Sequence, residues 1–342
     1  MNRRRRHTSA LWLALALALA GRIDAADLNR LKEADTGNFE AKNGKTLMYA
    51  LAKPETPKKG ERYPLVIFLH GAGGKAAKRK WDRGKDGGWK FFQTMTEDCY
   101  FLMPQTAETW SGMGWTKDNL PYKMRKKPTQ TMAALIECIE WIIKEEAVDP
   151  ARVYVAGASM GSMGMWDLVC RSPELFAAGM SCCGGFDAEQ APKIASIPFR
   201  IFHGDKDPWV PIEGSQVMFD ALKEAGADVD FHIYKGRDHF VWGPTYGNKK
   251  NLDWLFKQSK PAAKSKLEAM RTTRKSTDVA PDETRELRTW TSTKGATIEA
   301  KLLQTTGSGY TVVLEKADGG KLKIKMSGLS EEDQDYIKSQ LQ

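Results

Sequence analysis

The apolar run Arg152-Val-Tyr-Val-Ala156 leads straight into Gly157-Ala-Ser-Met-Gly161, and a helix-compatible stretch follows. No other feature restricts the fold of this chain as much. A run apolar on both faces is a strand buried inside a covered sheet. The G-x-S-x-G pattern after it is a tight, strained strand-to-helix turn in which side chains at the glycine positions would collide. Such a turn lifts the Ser159 hydroxyl above the sheet edge. It also sets that hydroxyl at a helix N-terminus, where developing negative charge is favoured. Taken alone, the five residues also fit a chance Gly-Ser turn; the strand before them argues for a reactive serine.

The surrounding chain alternates strand and helix patterns. Residues 27–45 are polar and read as a loose lead-in. Leu47, Tyr49 and Leu51 alternate with smaller residues, the signature of an outer strand. Pro64-Leu-Val-Ile-Phe-Leu-His70 is continuously apolar and ends in Gly71-Ala-Gly-Gly74, and Tyr100-Phe-Leu-Met103 repeats the pattern. Thr129 opens a helix whose apolar residues, Met132, Leu135, Ile136, Ile139, Ile142 and Ile143, recur at helical spacing. Further strands are expected around Ala178–Ser181, at Phe199-Arg-Ile-Phe202 and over Val229–Tyr234, with helices near 213–225 and at Leu252–Phe256. Strands alternating with helices predict an α/β domain over 27–258, with a mostly parallel sheet and helices on both faces. Sites in such sheets lie at the carboxyl ends of the strands.

Both ends of the chain differ in composition. Arg3, Arg4, Arg5 and Arg6 precede an apolar run over Ala10–Ala20 of about 11 residues, too short to span a bilayer. Residues 1–26 are therefore expected to be a signal peptide, cleaved after Ala18-Leu-Ala20 or nearer Ala25 and Ala26, which predicts a secreted or periplasmic protein with no membrane span once mature; an uncleaved N-terminal anchor is the alternative. Without those arginines the formal charge of +9 falls to about +5, too modest to suggest a nucleic-acid partner. The five cysteines, Cys99, Cys138, Cys170, Cys182 and Cys183, cannot all pair within one chain, and most lie in apolar stretches; buried thiols are expected, with room for one disulfide at Cys182 or Cys183. Beyond residue 258 the chain turns polar, and 259–285 reads as a linker. Apolar alternation returns at Trp290, Ile298-Glu-Ala-Lys-Leu302, Val312–Leu314 and Leu322–Met326, with glycine-rich turns between, so 286–342 reads as a small all-β unit ending in a short helix.

A serine hydroxyl is a weak nucleophile until a base takes its proton. The elbow motif is followed along the chain by an acid and then a histidine. Downstream lie His203, His232 and His239. His203 ends a central strand, and His232 shares an outward face with Asp230 and Tyr234. His239 sits in the loop after the last strand, where the base belongs. The acid should follow the preceding strand. His203-Gly-Asp-Lys-Asp207 offers Asp205 and Asp207; Asp207 is the choice, with Asp205 shaping the turn and Asp238 a poor alternative beside the base itself. The oxyanion needs backbone donors: the Met160 N–H, and Ala72 (with Gly73 as its neighbour) in the glycine-rich loop. Trp115, Trp209 and Trp242 are candidates for lining a substrate cleft, or for packing only. Trp110, Trp81, Trp89 and the basic residues of 75–90 and 123–127 belong to long insertions at the same edge. There is no metal-binding motif, P-loop or dinucleotide fingerprint, so no cofactor and no metal is expected.

Residues about 45–258 resemble the α/β-hydrolase fold, and within it the secreted esterases of the feruloyl esterase, polyhydroxybutyrate depolymerase and prolyl-oligopeptidase-like group. The resemblance rests on Tyr63-Pro-Leu-Val-Ile-Phe-Leu-His-Gly-Ala-Gly-Gly74, Gly157-Ala-Ser-Met-Gly161 with Met165-Trp166, His203-Gly-Asp-Lys-Asp-Pro-Trp-Val-Pro211, and His239-Phe-Val-Trp242. Ser162 departs from the second glycine that relatives usually carry. Residues about 286–342 resemble the Sla-homology domain, a small SH3-like barrel, through Arg288-Thr-Trp290, Gly295, Lys321-Leu-Lys-Ile-Lys325 and Leu329-Ser-Glu-Glu-Asp-Gln334. That resemblance implies a binding or tethering module of unknown ligand. Together the two imply a secreted serine carboxylic ester hydrolase acting through an acyl-enzyme on a small-molecule or polymer ester, such as an acylated polysaccharide or phenolic ester. The alternatives are a serine peptidase of the prolyl-oligopeptidase type, whose large N-terminal propeller this sequence lacks, an acyltransferase, and a non-catalytic wall- or carbohydrate-binding protein.

Overall fold

The computed structural model describes residues 34–55, 57–74, 88–95, 97–260, 286–306 and 311–340. The expected signal peptide, most of the expected linker and the basic 75–87 insertion with Trp81 lie outside the described residues.

Eight strands form one sheet in the order β1-β2-β4-β3-β5-β6-β7-β8. They are β1 (Asp35–Glu40), β2 (Thr46–Ala52), β3 (Tyr63–Leu69), β4 (Tyr100–Gln105), β5 (Val148–Ala158), β6 (Ala178–Cys182), β7 (Phe199–Gly204) and β8 (Val229–Tyr234). The pairs β1–β2 and β2–β4 are antiparallel; from β4 to β8 every pair is parallel. The continuous apolar runs are explained by burial on both faces. Leu65, Ile67 and Leu69 of β3 join the core on one side, and Val66 and Phe68 join the core on the other. Because successive side chains of a strand point to opposite faces, neither face can tolerate a polar residue here. Helices α2 (Gln130–Glu145), α3 (Met160–Arg171) and α5 (Ile212–Glu224) cover the first face through Leu135, Ile139, Trp166, Met218 and Leu222. Helices α1 (Gly88–Thr94), α6 (Trp242–Tyr246) and α7 (Lys249–Phe256) cover the second through Phe91, Tyr246, Leu252 and Leu255. A four-residue helix, α4 (Ala191–Ile194), precedes β7. The Thr129 hydroxyl caps α2 by accepting the Met132 N–H at 3.0 Å, as its place before the apolar period predicts.

One expectation needs correction. The lead-in is not loose over its whole length, since Asp35–Glu40 forms the edge strand β1. β2, expected as an outer strand, lies second from that edge. The polarity of Asp35-Thr-Gly-Asn-Phe-Glu40 hides a strand that needs one apolar anchor: Phe39 packs on Trp141 with ring centroids 5.8 Å apart. An edge strand has one partner and one largely wet side, so its composition carries little of the usual signal.

The C-terminal residues form a separate four-stranded antiparallel sheet, ordered β12-β11-β10-β9, from β9 (Arg288–Thr291), β10 (Thr297–Thr306), β11 (Thr311–Lys316) and β12 (Lys321–Lys325). Helix α8 (Glu331–Ser339) follows. Trp290, Ala300, Leu302, Val312, Leu314, Leu329 and Ile337 make its core. The Trp290 indole N–H is satisfied by the Ala300 carbonyl at 2.8 Å, and Asp333 accepts from Arg288 at 2.8 Å. Among the described residues, no helix is long and apolar enough to cross a membrane.

Candidate active site

The parallel order of β5, β6, β7 and β8 brings their carboxyl ends to one edge of the sheet. At the end of β5, Ser159 is held at φ 56° and ψ −122°, outside the allowed regions of a non-glycine residue. The surroundings enforce this. The Ser159 N–H donates to the Cys182 carbonyl at 2.8 Å, and the Ser159 carbonyl accepts from Ser162 and Met163 in the first turn of α3. A Cβ at Gly157 would fall on the Gly161 backbone, and a Cβ at Gly161 would fall on the Leu69 carbonyl. The motif's glycines are thus packing requirements between β3, β5 and α3. Gly161→Ala is expected to cost stability at the upper end of the about 1–3 kcal/mol typical of overpacking, because its obstacle is backbone rather than a movable side chain. The midpoint of urea unfolding checks it. Ser162, the departure from the family pattern, uses its hydroxyl in a 2.5 Å hydrogen bond with Ser181.

The structure brings Ser159, His239 and Asp207 together. Ser159 Oγ lies 2.9 Å from His239 Nε2, and His239 Nδ1 lies 2.5 Å from Asp207 Oδ2. The Asp207 side chain is fully buried and accepts four donors. Trp209 N–H and Val210 N–H both reach Oδ1 at 2.9 Å, while His203 Nε2 reaches Oδ2 at 3.1 Å beside His239. Burial alone would raise the Asp207 carboxyl; the hydrogen bonds from His203, His239 and the Val210 N–H outweigh it and hold the group well below the usual carboxylate range. Burial alone would likewise pull His239 down. The hydrogen bond to Asp207, the contact with Cys183 and the Asp207 charge reverse this and push its pKa up to about 9.

The other sequence candidates separate. Asp205 faces the Gly236 N–H at 2.6 Å and Lys235, and Asp238 accepts from the Phe240 N–H; the carboxylate hydrogen-bonded to His239 is that of Asp207. His232 is exposed on β8. Met160 is the first residue of α3 and Ala72 the first of a short 3₁₀ turn, positions whose N–H groups have no partner within the helix. A Cβ on Gly71 would stand 3.2 Å from the Ala158 carbonyl and 3.5 Å from Ser159 Cβ, so the glycine-rich loop passes directly beside the serine. His70 braces that loop: Nδ1 lies 2.7 Å from the Gly71 carbonyl, Nε2 accepts the Thr106 N–H at 3.2 Å, and its own carbonyl accepts the buried Trp110 indole at 3.0 Å.

Trp209 and Trp242 stand edge-on to His239, with centroids 5.3 and 5.4 Å away. Phe240, which composition did not single out, sits between them at 5.1 and 4.9 Å, and both Trp209 and Phe240 are about half exposed. Trp115 packs in a small apolar cluster with Tyr122, Met163 and Val210, the residue whose N–H meets Asp207 Oδ1. Tyr122 also lines a cavity of about 420 Å³ with Leu120, Lys123, Phe186, Asp187 and Val217. All five cysteines are buried free thiols, with Cys182 Sγ and Cys183 Sγ 3.9 Å apart. Cys183, at φ 54°, donates its thiol to the His239 carbonyl at 3.3 Å. Cys183, His203 and Asp207 put potential metal-ligating atoms within 4.8 Å of one another, and each is already engaged in the hydrogen bonds described.

Comparison with known proteins agrees with this architecture. The sequence model of the phospholipase/carboxylesterase family matches residues 54–246. NocK of Nocardia uniformis subsp. tsuyamanensis, named as an inferred esterase, is 28% identical over 188 residues, covering 54% of this chain and 50% of that protein. Dipeptidyl-peptidase 5 of Aspergillus fumigatus is 24% identical over 285 residues, covering 71% of this chain and 38% of that protein. The crystal structure of a thermostable esterase superposes with a TM-score of 0.60 at 31% identity, covering 68% of this chain and 64% of that one. The chain thus spans half or less of the length of these two curated relatives. With the family match extending from Pro54 to Tyr246, across the elbow, the acid loop and the histidine loop, the chain belongs to the phospholipase/carboxylesterase family of α/β-hydrolases.

Proposed function

We propose that this protein is a secreted or periplasmic serine esterase in which Ser159, His239 and Asp207 form the catalytic triad. The observation that carries the reading is the continuous relay from Asp207 Oδ2 through His239 to Ser159 Oγ, at 2.5 and 2.9 Å, on a strained elbow. Ser159 Oγ attacks the ester carbonyl while His239 Nε2 takes its proton. Asp207 fixes the imidazole tautomer and stabilises the imidazolium. The N–H groups of Met160 and Ala72 receive the developing oxyanion, each contributing roughly 3–4 kcal/mol of transition-state stabilisation. His239 then protonates the leaving alcohol, and the acyl-enzyme is released by water that His239 activates. Trp209, Trp242 and the neighbouring Phe240 border the histidine, so they contact the alcohol part of the ester; a ring-bearing polysaccharide or phenolic ester fits them. The basic start and short apolar run before residue 21 support export.

The experiment is hydrolysis of chromogenic esters with short-chain acyl or feruloyl groups, alongside aminoacyl anilides. The anilides address a second reading, a peptidase, which the likeness to a dipeptidyl-peptidase supports. Ester turnover without anilide turnover is expected.

A pH dependence follows. The base must be neutral, and its pKa lies above the free-histidine range, at about 9. The value of kcat/KM should therefore climb as pH rises from 6, reach half its plateau near that ionisation, at about 9, and level off above it. A profile already flat above pH 6 contradicts it; stopped assays corrected for spontaneous hydrolysis decide.

A further inference from the structure

We infer that His203 is a positioning residue for the triad, holding the Asp207 carboxylate in the orientation that His239 requires. The inference rests on the triad reading above.

His203 is the penultimate residue of β7 and is completely buried. Its Nε2 lies 3.1 Å from Asp207 Oδ2 and 3.1 Å from the Val210 carbonyl, both of which can only accept. Nε2 therefore carries a hydrogen. Its Nδ1 lies 2.7 Å from Ser215 Oγ on α5, and that hydroxyl also lies 3.2 Å from the Gly184 carbonyl. If the hydroxyl donates to Nδ1, the ring is neutral; if it donates to Gly184, Nδ1–H donates to it. Both arrangements keep the Nε2–H on Asp207. The ring thus ties three elements together: strand β7, the backbone of the acid loop, and helix α5.

This matters for the carboxylate plane. Backbone N–H groups hold Oδ1, and Oδ2 is left to two histidines. His239 rides on a separate loop and must change charge during the reaction, so it is a poor anchor. His203 is not hydrogen-bonded to Ser159 and takes no proton in the reaction, yet it holds the second oxygen from the strand side independently of the His239 loop. Removing its N–H leaves one donor fewer on Oδ2. The carboxylate then holds the His239 imidazolium more tightly, which moves the acid limb of the rate profile to higher pH. The groups facing this pair are Cys183, whose thiol burial keeps protonated, and Tyr122, pushed up to about 12 by burial and then by the Asp207 charge; neither titrates in the window concerned.

The test uses the full chain and a chromogenic ester, with Ser159→Ala as reference. His203→Leu should lower kcat by ~10- to 100-fold, the loss expected of one hydrogen bond to a charged group, with KM little changed and the acid limb shifted upward. His203→Gln, whose amide reaches the Nε2 position, should recover most of the rate; His203→Asn, whose shorter amide sits near Nδ1, should not. Ser215→Ala should give a smaller change in the same direction. A folded His203→Leu with the parent kcat and an unmoved acid limb overturns the inference. If His203→Leu does not fold, equal rates for the Gln and Asn variants overturn it instead. Either result, obtained while activity still requires Ser159, leaves the triad standing. Activity that survives Ser159→Ala removes the triad reading itself.

Discussion

Replacing Ser159 by Ala should lower kcat/KM on chromogenic esters by about 10⁴- to 10⁶-fold, with a residue of catalysis from the oxyanion donors and binding alone. The hydroxyl is the only atom lost. Its hydrogen bond in the structure is to His239, and the backbone bonds that hold the elbow, to Cys182 and from Ser162 and Met163, remain. Alanine tolerates the strained φ no worse than serine does, so stability should change little. The loss then belongs to chemistry and not to unfolding. A fluorophosphonate should label the parent protein once at Ser159 and leave the variant unlabelled. Rates within tenfold of the parent would remove Ser159 from the mechanism.

The second large effect is expected from Asp207→Asn, about 10⁴-fold in kcat with the fold intact. The structure says which way the amide must turn. Two backbone N–H groups, from Trp209 and Val210, meet Oδ1, so the amide oxygen takes that side. The NH₂ group must then face His203 and His239. A donor opposite His239 Nδ1 selects the tautomer with its hydrogen on Nε2, pointing at Ser159, where it cannot take the serine proton. Asp205→Asn is the control, since that carboxylate serves the Gly236 N–H and Lys235, and its rate should stay near the parent value. Equal losses in the two variants would mean that the acid was assigned wrongly.

Legibility in the sequence followed the reach of the physics involved. β3 and the Val153–Ala158 half of β5 are readable because strands buried on both faces are almost continuously apolar, β7 because only Arg200 and His203 interrupt its apolar residues, and α2 because its apolar residues keep one face over sixteen positions. β1 is not, because an edge strand needs only Phe39 to anchor it. α1 is short and follows the 75–87 insertion, with no period long enough to register. The tryptophans show the limit most clearly. Trp110 and Trp209 carry the same side chain in comparable loops, yet Trp110 is completely buried under the His70 carbonyl and Trp209 is half exposed beside His239. His203 was visible only as the last residue of a strand; its two imidazole nitrogens acquire meaning from α5 and the acid loop, which composition does not connect.

The chain itself determined what depends on neighbours in sequence. Glycines flank a serine after a buried strand, acidic and histidine loops follow later strands, and apolar periods assign each segment a sheet or helix face. Tertiary structure alone decided which groups touch. Ser159 and His239 are 80 positions apart, and His239 and Asp207 32, yet they meet at 2.9 and 2.5 Å. Parallel strands in the order β5-β6-β7-β8 deliver their carboxyl ends to one edge, and hydrogen-bond distances there depend on sheet register and on the packing of α3 and α5. Position along the chain singled out Asp207 over Asp205 and His239 over His203 and His232; the partners that packing sets against each of them come from the tertiary structure alone.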